Sequence, residues 1–477
     1  MDEGALLVYP DLVFHGHVPY RDFETFYGPA NPYVIGAAYS VFGTSIFVER
    51  AVGLIYRLAI LAALFGLLRR WGTSVAAACT LVAGGVLLMT QLVAYAWLGG
   101  VACLLCALWV LAAPAETWRA FAGGLLAGAA LLFRPDLAPA VALAVAPLFW
   151  VMPARDRARF CSAGLVAMIP FVLLAFITGP SALLNNLFLT PVIHSNPGRR
   201  LPILEASSFN LRLLSAHLFA VIANVAAAVI SFRRDRGNRQ APVMLALALF
   251  ALALTPQALQ RLDTLHLVAV AFLSIGLLPL SALTFFHRAD AQCPHFARGV
   301  WASFFAVVVL LGAIAPKVWT DAGNAFAAAI DPSMGSATFL EQNGRSFPFP
   351  SPHAAAVTGK LLEKLDRLAR PGERLFVGPA DLRRTNTCDT FIYYLFPSLV
   401  PATYFLEMNP LSANRPGSRL ATDVASADWV VLDMTWDSWH EKNDSAWYGS
   451  EAPNNVVRSQ FHLVGQYAPF VLLQRNQ

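Results

Sequence analysis

Charge is what this sequence has least of. Asp, Glu, Lys and Arg make up 13% of its 477 residues, where a soluble globular domain carries about 25%. Hydrophobic residues make up 57%, and the mean hydropathy is +0.55. A chain so short of charge cannot cover a water-facing surface, which excludes a purely soluble fold. The same apolar abundance excludes disorder. Lysine is scarcest, with Lys317, Lys360, Lys364 and Lys442 against thirty arginines. There is no lysine-rich tract and no basic stripe interleaved with aromatics, which argues against nucleic acid as a partner. Cysteine gives no framework either. Cys79, Cys103, Cys106 and Cys161 lie in or beside apolar segments, Cys293 lies in a short polar loop and Cys388 in the polar C-terminal region. The Cys103/Cys106 pair has metal-ligand spacing but no second pair beside it, so these thiols read as small hydrophobes. No G-x-G-x-x-G, P-loop or internal repeat of 20–50 residues occurs.

What the chain does have is long apolar runs. A helix needs about 20 mainly apolar residues to cross a bilayer. Ten segments approach or meet that length: 44–68, 73–93, 97–113, 119–134, 136–152, 160–178, 209–232, 242–259, 265–286 and 299–318. Arginine placement orients them, because cytoplasmic loops are enriched in Lys and Arg. Alternate loops carry twelve arginines: Arg69 and Arg70; Arg119; Arg155, Arg157 and Arg159; Arg233, Arg234, Arg236 and Arg239; Arg288 and Arg298. The intervening loops carry five, namely Arg21, Arg134, Arg199, Arg200 and Arg261. The first set is therefore expected in the cytoplasm and both chain ends outside. Trp97, Trp109, Trp118, Trp150, Trp301 and Trp319 fall mostly near helix ends, as interfacial tryptophans do. No apolar segment or signal peptide precedes the polar stretch 1–27, so one further crossing is expected upstream of Met1.

From about Ser333 the sequence turns polar. Val357, Leu361, Leu365 and Leu368 recur at a helical period over 354–369, which ends at Pro371-Gly372. Strand-length apolar runs follow at 375–378, 403–406, 429–432 and 470–473, with helical stretches at 420–427 and 455–461 between them. This alternation predicts a small α/β domain outside the membrane. The expected fold is thus an α-helical polytopic membrane protein with a C-terminal extracytoplasmic α/β domain. Its parts are an extracytoplasmic loop over 1–43, a multi-pass region over 44–318 and the α/β domain over 335–477.

The first outer loop carries the most chemistry. It runs Asp2-Glu3-Gly4, then His15-Gly16-His17-Val18-Pro19-Tyr20-Arg21-Asp22-Phe23, then Tyr27-Gly28-Pro29 and Tyr33, with Arg50 beyond. An adjacent acidic pair alone is often merely solvated. In combination with two short amphipathic stretches and the Pro-Tyr-Arg-Asp-Phe and Tyr-Gly-Pro motifs, it resembles the first extracytoplasmic loop of GT-C superfamily glycosyltransferases. It is similar to bacterial relatives of protein O-mannosyltransferases and lipid A aminoarabinose transferases. The resemblance covers the N-terminal loop and the general architecture, and the middle crossings only loosely. This sequence departs from the pattern in lacking the first crossing, which leaves Asp2 near a free end.

That resemblance implies transfer of a sugar from a polyprenyl-phosphate carrier to an acceptor hydroxyl on a lipid, glycan or protein, with inversion. Asp2 then maps to the catalytic carboxylate and Glu3 to its neighbour, which either orients the acceptor or helps hold a cation. No organic cofactor is implied; a divalent cation is left open, its ligands unassigned. A carboxylate beside the hydroxyl can act as general base, and the departing lipid phosphate needs cationic stabilisation. Arg134, in Phe133-Arg134-Pro135-Asp136 at an outer helix end, is either a local partner of Asp136 or a phosphate ligand. Gln257, Gln260, Arg261, Asp263 and His266 crowd another outer end, where polar groups are costly beside hydrocarbon. Asp263 could equally serve the helix dipole there; Arg261 and His266 are candidates for phosphate or sugar contact. The 194–208 loop, with Arg199-Arg200, either covers the site or is an exposed connector. Arg57, well inside a crossing, needs a partner or a water-filled cavity.

The expected setting is the outer face of a bacterial cytoplasmic membrane; the preference for Arg over Lys and the many alanines agree with a GC-rich genome. Two other classes compete. A flippase for a lipid-linked sugar predicts inverted repeats and helices broken at the midplane. A non-catalytic envelope scaffold predicts a dispensable acidic motif.

Overall fold

The computed structural model describes residues 2–113, 116–234, 240–286, 296–316, 320, 323–324 and 338–477. Cys293, Lys317, Trp319, Arg236, Arg239 and Arg288 lie outside them, as do the side chain of Asp2 and the start of the polar region at Ser333. The chain forms two compact units. One comprises Met1–Val52, Leu174–Arg200 and Ser333–Gln477, and the other Gly53–Leu173 and Leu201–Pro332.

Each of the ten expected segments contains helix. Among the described residues, six helices are long and apolar enough to cross a membrane: Ile46–Trp71, Ala154–Thr178, Ser208–Arg234, Ala241–Gln260, Thr264–Phe285 and Ala297–Ile314. Thr73–Leu87, Ala96–Ala112, Thr117–Phe133 and Pro135–Val151 are apolar but shorter. Two of the long helices are interrupted, at Met168 before Pro170 and at Leu277 before Pro279. Proline removes the donor that the preceding turn requires. Within the bundle unit, Thr117–Phe133 packs on Ala154–Ala167 through small residues. A Cβ on Gly124 would meet the Phe160 carbonyl, and one on Gly128 would lie 2.5 Å from Ala167 Cβ. Where lipid is as apolar as leucine, such close backbone approach is what holds helices together.

In the other unit, α1 (Asp2–Phe14) and α2 (Ala30–Phe42) accompany seven strands: β1 (Thr338–Gln342), β2 (Arg345–Phe349), β3 (Arg374–Pro379), β4 (Val400–Pro401), β5 (Trp429–Asp433), β6 (Phe461–Tyr467) and β7 (Phe470–Arg475). The main sheet has the order β4-β3-β5-β7-β6. Its β3, β4 and β5 run parallel, while β7 is antiparallel to both β5 and β6. The Pro352–Leu368 helix, capped by Ser351 Oγ on the Ala354 N–H at 3.2 Å, buries Leu361, Leu362 and Leu365.

Two expectations need correction here. Residues 403–406 form no strand, because that backbone is used elsewhere. The Tyr404 carbonyl accepts from the Glu24 N–H at 2.7 Å, and the Tyr404 N–H donates to Asp423 at 2.9 Å. The helix expected over 455–461 is Ala452–Gln460, and Phe461 instead opens β6.

The N-terminal stretch belongs to the core of this unit. α2 is amphipathic, burying Asn31, Pro32, Ile35, Gly36 and Tyr39, but α1 is buried along nearly its whole length. Ala5, Leu7, Val8 and Tyr9 join one apolar cluster with Leu361, Phe376, Phe391 and Val431. Gly4 has no room for a side chain, since its Cβ would stand 2.6 Å from Thr390 Oγ1. Arg345 clamps Asp11 through two bonds of 2.8 and 3.1 Å, joining residues 334 positions apart.

Candidate active site

The loop after α1 is shaped by a residue in an unfavourable conformation. Tyr20 has φ +68°, a left-handed value rare for a bulky side chain. It is held there by its N–H on the Phe23 carbonyl (2.9 Å), its hydroxyl on the Tyr27 carbonyl (2.7 Å) and its own carbonyl accepting from Tyr404 Oη (3.0 Å). Strain of this kind persists only where the surroundings over-determine it, and it clusters at functional sites. Next to it Arg21 grips Asp22 at 2.9 and 2.8 Å, and this bond holds the Asp22 carboxyl below its ordinary range. Asp22 also accepts the Val18 N–H at 2.7 Å, so it is committed to the turn.

The turn delivers Glu24 into the interior, where it is 4% exposed. Ser412 Oγ donates to one carboxylate oxygen and Asn409 Nδ2, at 3.5 Å, to the other. Burial pushes this carboxyl up to about 7, opposed by the Ser412 bond and reinforced by the nearby Glu407. Arg199 is the cation in its field, and the Arg199 guanidinium stacks 5.1 Å from the Phe26 ring centre. A carboxyl that titrates near neutrality is suited to exchange protons with a substrate. Glu24 belongs to none of the loop's motifs. Its place between Asp22 and Tyr27 was visible, but Ser412, Asn409 and Glu407 come from nearly 400 residues away.

Glu3 is buried and held by Arg50 in a two-bond pair of 2.6 and 3.0 Å. Arg50, which follows the acidic loop in the sequence, is thus the counter-ion of Glu3. Asp2 opens α1, and its side chain lies outside the described residues. Arg200 is exposed and its carbonyl accepts from Asn443 at 3.0 Å.

In the bundle unit the two outer clusters come together. Arg134 binds Asp136 through one guanidinium edge, with Nε donating to one carboxylate oxygen at 2.7 Å and Nη2 to the other. Asp136 also accepts from Gln257 at 3.1 Å, across 121 positions. Gln257 lies one helical turn before Arg261, whose Nε bonds Asp263 at 2.8 Å. Asp263 caps the Thr264–Gly276 helix by accepting the His266 N–H at 2.9 Å, and it meets His266 Nδ1 at 2.8 Å. Burial raises this carboxyl, but the His266 bonds and charge and then Arg261 outweigh it and bring it down to about 2. The group is therefore an anion held between the Arg261 guanidinium and the His266 imidazole. Arg57 finds its partners in backbone: the Gly53, Val93 and Gln91 carbonyls and Thr90 Oγ1, satisfying a turn between two helices. Deeper in the same unit His217 bridges Ser274 (2.8 Å) and Thr255 (3.1 Å), while Asn224 bonds the Ser274 carbonyl and Ser281. Among the described residues no three or more His, Cys, Asp or Glu side chains converge as a metal site would require.

No protein-family model and no curated protein matches this chain. Among solved structures it is similar to ArnT from Cupriavidus metallidurans bound to undecaprenyl phosphate. The TM-score is 0.54 and the identity 14%, over 99% of this chain and 93% of that one. The apo state of the same protein matches with a TM-score of 0.54 and 13% identity, over 99% and 92%. Likeness at this identity establishes the fold. The chain has the fold of that structure, a multi-pass helical membrane protein carrying a C-terminal sheet domain.

Proposed function

We propose that the chain is a glycosyltransferase that moves a sugar from a polyprenyl-phosphate carrier to an acceptor hydroxyl, with inversion, at the outer face of a bacterial cytoplasmic membrane. The observation that carries this reading is a fold likeness spanning 99% of the chain to an ArnT structure bound to undecaprenyl phosphate. The acidic loop supports it. A carboxylate takes the acceptor proton while the hydroxyl oxygen forms its bond to the anomeric carbon. The bond from that carbon to the phosphate oxygen breaks, and its electron pair leaves on the lipid phosphate. Guanidinium and imidazolium groups are suited to that growing negative charge. Arg134, Arg261 and His266 are the candidates in the bundle unit, and Arg199 and Arg200 in the other. Asp263 holds Arg261 and His266 in place.

Two carboxylates compete for the role of base. Asp2 has it by motif. Glu24 is favoured by its burial and near-neutral titration. Glu3, occupied by Arg50, positions the first turn of α1. The test is sugar transfer in membranes, using a panel of labelled polyprenyl-phosphate sugars and comparing wild type, Asp2→Asn and Glu24→Gln at equal expression. Loss of two or more orders of magnitude in kcat in one variant identifies the base. Lipid-linked sugar that crosses the bilayer without transfer would overturn the reading in favour of a flippase.

A further inference from the structure

We propose that the carboxyl edge of the five-stranded sheet is a saccharide-binding platform, with Trp439 and Tyr448 as its stacking faces. Its role as the acceptor subsite rests on the transferase reading; the binding itself does not.

The position follows from topology. β3 and β5 are adjacent and parallel, and the chain leaves them toward opposite sides of the sheet, to β4 from one and toward β6 and β7 from the other. In open α/β sheets the crevice outside the carboxyl ends, where strand order reverses, is where ligands bind. Two loops, 380–390 and 434–451, rise from that edge. The second is long, with one short 3-10 turn at Asp444–Ala446, and loops of this length in compact domains usually carry function.

The longer loop is fixed from below by side chains of the shorter one. Arg384 meets His440 Nδ1 at 2.9 Å and the Asp437 and Trp439 carbonyls at 3.4 Å. Asn386 donates to the Trp436 and Trp439 carbonyls at 3.3 and 3.4 Å. Arg383 lies 4.9 Å and Arg384 5.7 Å from the centre of the Tyr448 ring. Trp436 meets Trp439 edge to face at 6.0 Å, and its indole N–H reaches the buried Asp389 at 3.4 Å. The result holds aromatic surface in water: Trp439 is 37% exposed and Tyr448 54%. An aromatic side chain can bury 150–250 Å², so these faces forgo stabilisation that a partner would restore.

The surrounding charges select the partner. Asp437, His440, Glu441, Lys442 and Asp444 interleave both signs along the loop. An anionic lipid surface calls for a cluster of cations, and the dry core of a protein interface is depleted of charge. A neutral sugar ring fits both features. Its C–H face lies on the aromatic rings, and its hydroxyls find donors and acceptors in guanidinium, imidazole and carboxylate.

The experiment is retention of the full chain, in detergent, on immobilised oligosaccharides built from neutral hexoses, heptoses and N-acetylhexosamines, alongside anionic phospholipid vesicles. Wild type is expected to be retained by at least one oligosaccharide class. Trp439→Ala and Tyr448→Ala, both at exposed positions, should each weaken that retention at least tenfold with unchanged thermal unfolding, while Trp118→Ala should not. Failure of every oligosaccharide to retain wild type overturns the proposal, as does equal retention of the variants. Vesicle binding lost in the variants, without sugar binding, assigns the surface to lipid and also overturns it. Retention by a chain inactive in sugar transfer would sink the transferase reading and leave the platform standing.

Discussion

Asp389→Asn should make the protein more stable at pH 8 and leave it nearly unchanged at pH 5. Asp389 and Asp433 are buried at the carboxyl edge of the sheet, with Asp433 accepting the Thr435 N–H at 2.8 Å and Asp389 the Trp436 indole N–H at 3.4 Å. Burial and then the Asp433 charge push Asp389 up to about 7. The folded value lies above the unfolded one of about 3.9, so between these limits the folded state holds a proton that the unfolded state has released. Stability must then fall as pH rises through that window. Integrating from pH 5 to pH 8, the loss from this one group is about 2–3 kcal/mol. Asparagine keeps the shape but never becomes charged. For a unit of this size the advantage at pH 8 corresponds to about 5–10 °C in Tm. Thermal unfolding of the full chain in detergent, followed by tryptophan fluorescence at pH 5, 6.5 and 8, reads this directly. Tm curves for the two proteins that stay parallel across that range would refute a buried carboxyl raised toward neutrality.

Two further perturbations test the structure. Arg345→Met strands Asp11 in a buried site; Thr44 at 3.3 Å and His15 remain on it, so the expected cost is about 3 kcal/mol, the low end for a broken buried pair. Adding Asp11→Leu should recover at least half of that loss, and chemical denaturation showing a cost under about 1 kcal/mol would contradict a buried clamp. Asp263→Ala removes a helix cap and should cost about 1 kcal/mol at neutral pH. Because this carboxyl is held down to about 2, below its unfolded value, its contribution is present above about pH 4 and is lost as pH falls toward 2. The two proteins should therefore converge in thermal stability at low pH, and a constant gap would show that capping alone acts there.

Parts of the fold lie close to the surface of the sequence. Strands β3, β5 and β7 coincide with short apolar runs because their residues are buried on both faces or nearly so. β6, Phe461-His462-Leu463-Val464-Gly465-Gln466-Tyr467, is an edge strand with exposed polar positions, and no apolar run marks it. The β1–β2 hairpin does carry a local signal. Asn343 and Gly344 have φ of +52° and +73°, the two-residue turn that Asn-Gly favours, but hydropathy passes over it. At the candidate site, Arg134 with Asp136 and Arg261 with Asp263 are neighbours in sequence and could be paired on sight. Gln257 joining the two clusters could not.

Read along the chain, the residues already require a membrane protein of many apolar helices, the approximate places of those helices, and a sheet domain after them. Bilayer thickness and hydrogen-bond satisfaction act on runs of neighbouring residues, so a linear reading captures them. Tertiary packing alone makes α1 core rather than an amphipathic surface helix, sets Arg50 on Glu3, and raises the Glu24 and Asp389 carboxyls to about 7. Each of those outcomes depends on what removes water from a charge and what charge stands beside it. The groups responsible, Ser412 and Glu407 for Glu24 and Asp433 for Asp389, lie tens to hundreds of residues away, where composition, period and spacing carry no information.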